Sequence, residues 1–372
     1  MPKRTPTSVL MTADTVGGVW TYALELARGL SSDGIRITLA TMGAHLTRQQ
    51  RIQTLSIPNL DVHESNFRLE WMENPWDDVR RAGEWLLALE QRVCPDVVHL
   101  NGYVHADLAW LAPCLVVGHS CVASWWWHLK QTEMPAQWNC YRERVSAGLR
   151  SADMVVAPSK DMLAALRLHY VWCGPARVIQ NGLAPTLTPG RKENFLLCAG
   201  RLWDEAKNLA LIASAAEHVR WKIYAAGEHR NADAPASFGD HVQLLGTLEP
   251  AILARWMAAA PIFLAPAKYE PFGLSILEAA LCGCALILGD ISSLHELWDG
   301  AALFIATDDV ASLIGSIEQL IDNPQERERL GREARERALT FSQSRMTEAY
   351  LQVYSDLMEG AFSSSAEAAA CR

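Results

Sequence analysis

Two carboxylates bracket a segment that otherwise has the character of a protein core: in "YEPFGLSILEAALCGCALI", residues 269–287, Glu270 stands before an apolar run and Glu278 within it. Pro271 and Gly273 fit a turn entering a helix, and the first N–H groups of that helix, near Gly273, Leu274 and Ser275, lack intrahelical acceptors and form a natural seat for an anion. Glu270 before the helix and Glu278 more than one turn inside it then reach different parts of a ligand lying across the helix start. A solvated helix residue or a dipole partner needs no apolar flanks, yet Glu278 has Leu277 and Ala279 on either side, which argues for more than a surface role.

A second pair lies in "LLCAGRLWDEAKNLALI". Arg201 follows Gly200 at the end of an apolar run, and Lys207 begins the next helical pattern. A forked guanidinium and a point charge at one strand terminus suit a diphosphate, although either cation alone would read as an ordinary surface residue. The phosphate loop G-x-x-x-x-G-K-[ST] is absent. In the first half, Gly17 and Gly18 in "TADTVGGVWTYALELA" would let backbone approach a ligand closely, but G-x-G-x-x-G is absent, which argues against a nicotinamide enzyme.

His119 ends the run "CLVVGHS", where an imidazole can face a cleft and hydrogen-bond a substrate. His99 and His105 flank "LNGYV", but no carboxylate or thiol completes a ligand set with them, so no metal site is read here. Trp125, Trp126 and Trp127 are consecutive and cannot all enter one core, so at least one is expected at a surface, where its ring could stack on a sugar or meet an apolar acceptor.

The elements that must hold these residues are legible from end to end. Short β-branched runs ("SVLMTA", "RITLAT", "DVHES", "DVVHL", "CLVVGHS", "DMVVAPS") alternate with helical patterns such as "WTYALELARGL", and the alternation restarts with "NFLLCAG", "WKIYAAG", "VQLLG", "PIFLAP" and "CALILGD". This is the signature of βαβ units and parallel sheets. The stretch 181–194, with two prolines, two glycines and no apolar period, reads as the joint between halves. The expected division is therefore an α/β domain over 1–182, a linker over 183–194, a second α/β domain over 195–342, and a terminal helical segment over 343–372 ending in a frayed tail, "SSSAEAAACR". Two doubly wound sheets facing each other would place a cleft beyond the carboxyl ends of their strands, where the singled-out residues fall.

A length of 372 residues favours two domains over one. The formal charge of −9 is concentrated in the second half: 17 Lys+Arg face 17 Asp+Glu over 1–180, against 16 and 25 over 181–372. That balance excludes a nucleic-acid partner and requires any phosphate site to be built from a few placed cations and backbone amides. Nine cysteines without a repeated spacing read as reduced, mostly buried thiols. The start, "MPKRTPTSVLMTADTVGGVW", has no long apolar core of a signal peptide, so a cytoplasmic location is expected, with peripheral contact at the inner membrane face left open.

Together these features resemble the retaining nucleotide-sugar glycosyltransferases of the GT-B fold, family four. The resemblance spans nearly the whole chain and is strongest over 195–300. Its most specific element is E-x7-E, present from Glu270 to Glu278 in "EPFGLSILE", which includes Phe272, Gly273, Leu274 and Ser275. The diphosphate pair corresponds to Arg201 and Lys207, the glycine-rich first loop to Gly17 and Gly18, and the first-domain active-site histidine to His119.

The resemblance implies that the second domain holds a nucleotide diphosphate sugar, a UDP- or GDP-hexose, as donor substrate, and that the first binds a sugar, lipid-linked or small-molecule acceptor. Glu278 would bond the ribose, Glu270 would lie by the transferred sugar, and backbone near Gly246 and Leu248 would meet the base. The terminal helix around "SRMTEAYLQVY" would cross back to the first domain. No permanently bound cofactor and no metal is expected, because Arg201, Lys207 and a helix N-terminus can take up the charge growing on a leaving diphosphate. "GDISSLHELWDG" keeps the family's Glu296, Asp299 and Gly300 but has Ser292-Ser293 where Gly-Gly or Gly-Ile-Pro is commoner, which predicts a loop of different shape. A non-hydrolysing nucleotide-sugar epimerase and a non-catalytic sugar-nucleotide-binding protein are the alternatives on this architecture. The donor base and sugar, the acceptor, the linkage and the oligomeric state are left open by the sequence.

Overall fold

A computed structural model describes residues 5–228 and 241–360. Seven strands build the first sheet: β1 (Ser8–Asp14), β2 (Arg36–Met42), β3 (Leu60–Glu64), β4 (Val97–Leu100), β5 (Cys114–Val117), β6 (Met154–Ala157) and β7 (Ala176–Val178). Six build the second: β8 (Phe195–Ala199), β9 (Lys222–Ala226), β10 (Val242–Gly246), β11 (Ile262–Ala265), β12 (Ala285–Gly289) and β13 (Leu303–Ile305). The pairings are parallel, in the orders β3-β2-β1-β4-β5-β6-β7 and β10-β9-β8-β11-β12-β13. Both sheets are doubly wound, and both reverse direction at one point: between β1 and β4 in the first, between β8 and β11 in the second. At such a point the loops leaving neighbouring strands diverge to opposite faces, and a ligand-sized crevice opens beyond the strand ends.

Each strand segment read from the sequence forms a strand. β7 and β13, three residues each, are additional; both lie at sheet edges, where one-sided pairing needs only a short run. The central strands are buried on both faces, as "VVHL" in β4 and "CLVV" in β5 are at every position, which is why they read as continuous apolar runs.

The chain divides into two compact units. One takes the described residues of Met1–Trp127, Gln131–Gly182 and Gln343–Arg372; the other takes His128–Lys130 and Leu183–Ser342. The stretch 183–194, read as a linker, is secured to the second unit by Gly190 N–H donating to the Ala258 carbonyl at 3.1 Å and by Lys192 Nζ donating to the carbonyls of Ala260 (2.8 Å) and Cys282 (2.7 Å). Prolines and glycines deny it periodicity, but these bonds tie it to the ends of neighbouring elements.

In the first unit the terminal helix, Gln343–Met358, packs on the helix Gly18–Ser32 so closely that a Cβ at Gly29 would lie 1.9 Å from Thr347 Oγ1. The tail "SSSAEAAACR" lies outside the described residues. Of the eight cysteines described, five are buried and three exposed, all as free thiols. Among the described residues, no helix is long and apolar enough to cross a membrane and no cluster of His, Cys, Asp or Glu is placed to hold a metal ion.

Candidate functional site

In the second unit, the chemistry-bearing residues gather at the switch point. β8 ends at Ala199 and hands the chain to Gly200 and Arg201; β11 ends at Ala265 and leads to Glu270 and the helix Leu274–Leu281. A recess there is lined by Gly200, Lys207, Glu270 and Ser275, among others. Lys207 Nζ donates to Glu270 Oε2 in an ion pair with both side chains mostly buried. Arg201 Nη2 donates to Asp204 Oδ2 at 2.9 Å, and its guanidinium lies 5.6 Å from the centroid of the Trp203 ring.

Gly273 caps the helix Leu274–Leu281 with φ +86°, in the left-handed region, and a Cβ there would meet Ile276 Cδ1 at 2.7 Å. Only glycine turns the chain this way at this packing density. Leu274, Ser275 and Glu278 are the half-buried residues of that helix; Ile276, Leu277, Ala279, Ala280 and Leu281 are buried. Glu278 is thus on the accessible side.

Phe272, expected among the donor-binding residues, has its side chain in the core. It is 4% exposed and packs edge-on against Phe341, with ring centroids 5.7 Å apart. Lys207 also differs from its sequence reading: it closes a short 3-10 turn, Glu205–Lys207, instead of opening the next α-helix. Gly246, exposed at φ +67°, closes edge strand β10, two strands from β8, and Leu248 beyond it is half-buried.

Several supports were not singled out from the sequence. Asp204 is 6% exposed and also accepts from Ala206 N–H at 3.0 Å, so it anchors both Arg201 and the turn carrying Lys207. Asn208, in the left-handed conformation, donates its side-chain amide to the carbonyls of Pro266 (2.9 Å) and Thr307 (2.7 Å), tying that turn to the loops after β11 and β13. Ser293 Oγ donates to the Glu270 carbonyl at 2.7 Å. The Ser-Ser departure therefore places a hydroxyl against the backbone of a candidate catalytic residue.

In the first unit, Gly17 (φ +82°) and Gly18 are exposed at the start of the first helix, directly after β1. His119 is half-buried just beyond β5, with Nε2 2.8 Å from Asn101 Oδ1 and its ring edge-on to Tyr22 at 4.5 Å. Burial pushes its imidazole down to about 3, so it is neutral at pH 7. The loop around it is held by Tyr103, whose hydroxyl donates to the Ser120 carbonyl at 2.8 Å. Glu70 in turn accepts the N–H groups of Tyr103 and Val104, each at 3.1 Å; burial outweighs these bonds and pushes its carboxyl up to about 7.

His99, fully buried in β4, bonds Tyr22 Oη through Nε2 (3.2 Å) and Tyr354 Oη of the terminal helix through Nδ1 (2.6 Å), while His105 Nε2 lies 3.0 Å from the Val79 carbonyl. His99 and His105 are structural. Of the three consecutive tryptophans, Trp127 is exposed and Trp125 and Trp126 are half-buried.

Two doubly wound parallel-sheet domains, with candidate residues beyond the strand ends at both switch points, define the GT-B class of fold. Residues 193–323 match the family described as glycosyl transferases group 1, and residues 16–187 match glycosyltransferase family 4. The chain belongs to these group 1/family 4 glycosyltransferases.

Among curated relatives, the glycogen synthase of Mycobacterium tuberculosis is 33% identical over 148 residues, 38% of this chain and 34% of that protein. The chain thus spans about a third of that relative's length. The alpha-maltose-1-phosphate synthase of Mycolicibacterium smegmatis is 24% identical over 67% of this chain and 74% of that protein. Among solved structures, a sucrose-phosphate synthase from Thermosynechococcus elongatus superposes with a TM-score of 0.81 at 18% identity, covering 95% of this chain and all of that one. Anabaena HepE in complex with UDP-glucose superposes at 0.76 with 15% identity, covering 94% and 99% of the two chains. At these identities the likeness to the solved structures is one of fold.

Proposed function

We propose that this protein transfers a hexose from a nucleotide diphosphate sugar, a UDP- or GDP-hexose, to a sugar, lipid-linked or small-molecule acceptor, with retention of configuration and without a metal. The observation that carries the reading is the convergence of Lys207, Glu270 and the Gly273-capped helix start on one recess at the β8/β11 switch point. Arg201, Lys207 and the N–H groups of Gly273, Leu274 and Ser275 bind the diphosphate and stabilise the charge that grows on it as the glycosidic bond breaks. Glu278 binds the ribose and Glu270 lies by the sugar. In the first unit, His119 and the exposed Gly17-Gly18 turn act on the sugar or acceptor. The relatives named above and the UDP-glucose complex of a fold neighbour support a nucleotide-sugar donor.

The test is incubation of the full chain with UDP- and GDP-hexoses in the presence of EDTA. Slow donor hydrolysis, and transfer once an acceptor is supplied, with an axial product from an axial donor, is expected. Isomerised donor without transfer, or activity that EDTA abolishes and magnesium or manganese restores, would overturn the reading.

A further inference from the structure

Asn101 sits directly after β4, on the other side of the first sheet's switch point from β1, and both ends of its side-chain amide are engaged. Its backbone N–H donates to Thr12 Oγ1 at 2.9 Å, and its Nδ2 lies 2.7 Å from the Thr12 carbonyl oxygen. A carbonyl oxygen only accepts, so the atom facing it must be the amide nitrogen, and the atom facing His119 must be the amide oxygen. That oxygen also only accepts. The imidazole nitrogen 2.8 Å from it, Nε2, must therefore carry the proton. Thr12 is 2% exposed and lies within β1, so the element that fixes the amide is itself rigid. The Tyr22 ring, edge-on at 4.5 Å, packs against the imidazole.

We infer that Asn101 is a positioning residue that locks His119 in the Nε2–H tautomer, so that His119 presents a bare Nδ1 lone pair and recognises its ligand by accepting a hydrogen bond from a sugar hydroxyl. No described residue hydrogen-bonds that Nδ1. A histidine in the opposite tautomer would donate, and would favour a carbonyl, phosphate or carboxylate oxygen. The Thr12–Asn101–His119 chain thus sets the polarity of the contact, selecting hydroxyl groups and discriminating against anions. The sugar as ligand rests on the proposed function above; the tautomer does not.

The inference is tested first without turnover. A full-chain protein labelled with 15N-histidine, with His119 assigned through His119→Gln, should give at pH 7.5 the two-bond proton–nitrogen pattern of a neutral ring protonated at Nε2. Asn101→Leu removes the acceptor and should shift the His119 signals toward a mixture of tautomers. An Nδ1–H pattern in the native chain overturns the lock, as does an Asn101→Leu spectrum identical to the native one, and the native spectrum decides even where a variant does not fold. The second arm uses sugars with single hydroxyls replaced by fluorine, which cannot donate. One position should lose about tenfold in kcat/KM with the native enzyme and lose nothing further with His119→Ala. A uniform response across positions would show that His119 does not accept from a hydroxyl. Absence of any transfer would count against the proposed function and leave the tautomer result standing.

Discussion

Lys207 and Glu270, 63 residues apart in sequence, form an ion pair across the switch point of the second sheet. One comes from the turn after β8 and the other from the loop after β11. A diphosphate drawn to Lys207 must share or displace the Glu270 carboxylate. Removing that carboxylate's charge therefore releases a competitor: Glu270→Gln should leave affinity for the free nucleoside diphosphate unchanged or raise it. Turnover should fall by roughly 100-fold or more, because a charge near the reacting sugar acts on the transition state. Lys207→Ala should weaken the nucleotide by about 1.5–3 kcal/mol. Calorimetry and initial rates separate these; a Glu270→Gln protein that binds nucleotide as poorly as Lys207→Ala would contradict the pairing argument.

Glu278 makes the complementary case. It occupies the accessible side of the helix Leu274–Leu281, one turn beyond Leu274. A ribose lying along that side binds equally in ground and transition states, so Glu278→Ala should weaken nucleotide affinity by about 1.5–3 kcal/mol and raise KM, with kcat close to native. If Glu278→Ala instead lowers only kcat, the ligand runs the other way along the helix.

Ser293 tests the support of Glu270. Its hydroxyl donates 2.7 Å to the Glu270 carbonyl, and Ser293 is 4% exposed. Ser293→Ala leaves that carbonyl without this donor and should cost about 1 kcal/mol of stability, while lowering kcat by loosening the carboxylate. Thermal unfolding and initial rates would show it; a kcat equal to native would mean that the backbone holds Glu270 unaided.

What the sequence made legible follows from how far each signal reaches. Parallel strands buried on both faces produce unbroken apolar runs, so "DVVHL" and "CALILGD" announce themselves, and the residues after them fall at strand ends by construction. Lys207 and Glu270 could each be picked out, but their pairing depends on β8 and β11 being neighbours, which no local pattern encodes. Phe272 lay inside a motif and turned into the core; motif membership says nothing of side-chain direction. Asn101, Thr12, Asp204 and Asn208 are ordinary polar residues in the sequence. Their importance arises only from what faces them.

His99 offers the last prediction. It is fully buried, with Tyr22 and Tyr354 on its two nitrogens, Tyr350 at a ring-centroid distance of 5.2 Å, and His119 nearby. Burial, and to a lesser degree the neighbouring His119, holds its imidazole down to about 3. In the unfolded chain it titrates near the ordinary value of about 6.5. The native-state value is the lower one, so above pH 6.5 both states are neutral and this group imposes no penalty. As pH falls below about 6.5 the unfolded chain gains a proton that the native state refuses, and stability declines down to about pH 3 at up to ~1.4 kcal/mol per pH unit. His99→Gln keeps a donor and an acceptor beside the two tyrosines but does not titrate. Between pH 7 and pH 5 the native protein should lose about 2 kcal/mol more than this variant in urea unfolding. Parallel losses in the two proteins would show that His99 takes up its proton in the folded state, and that the bond joining β4 to the terminal helix through Tyr354 survives with a charged ring.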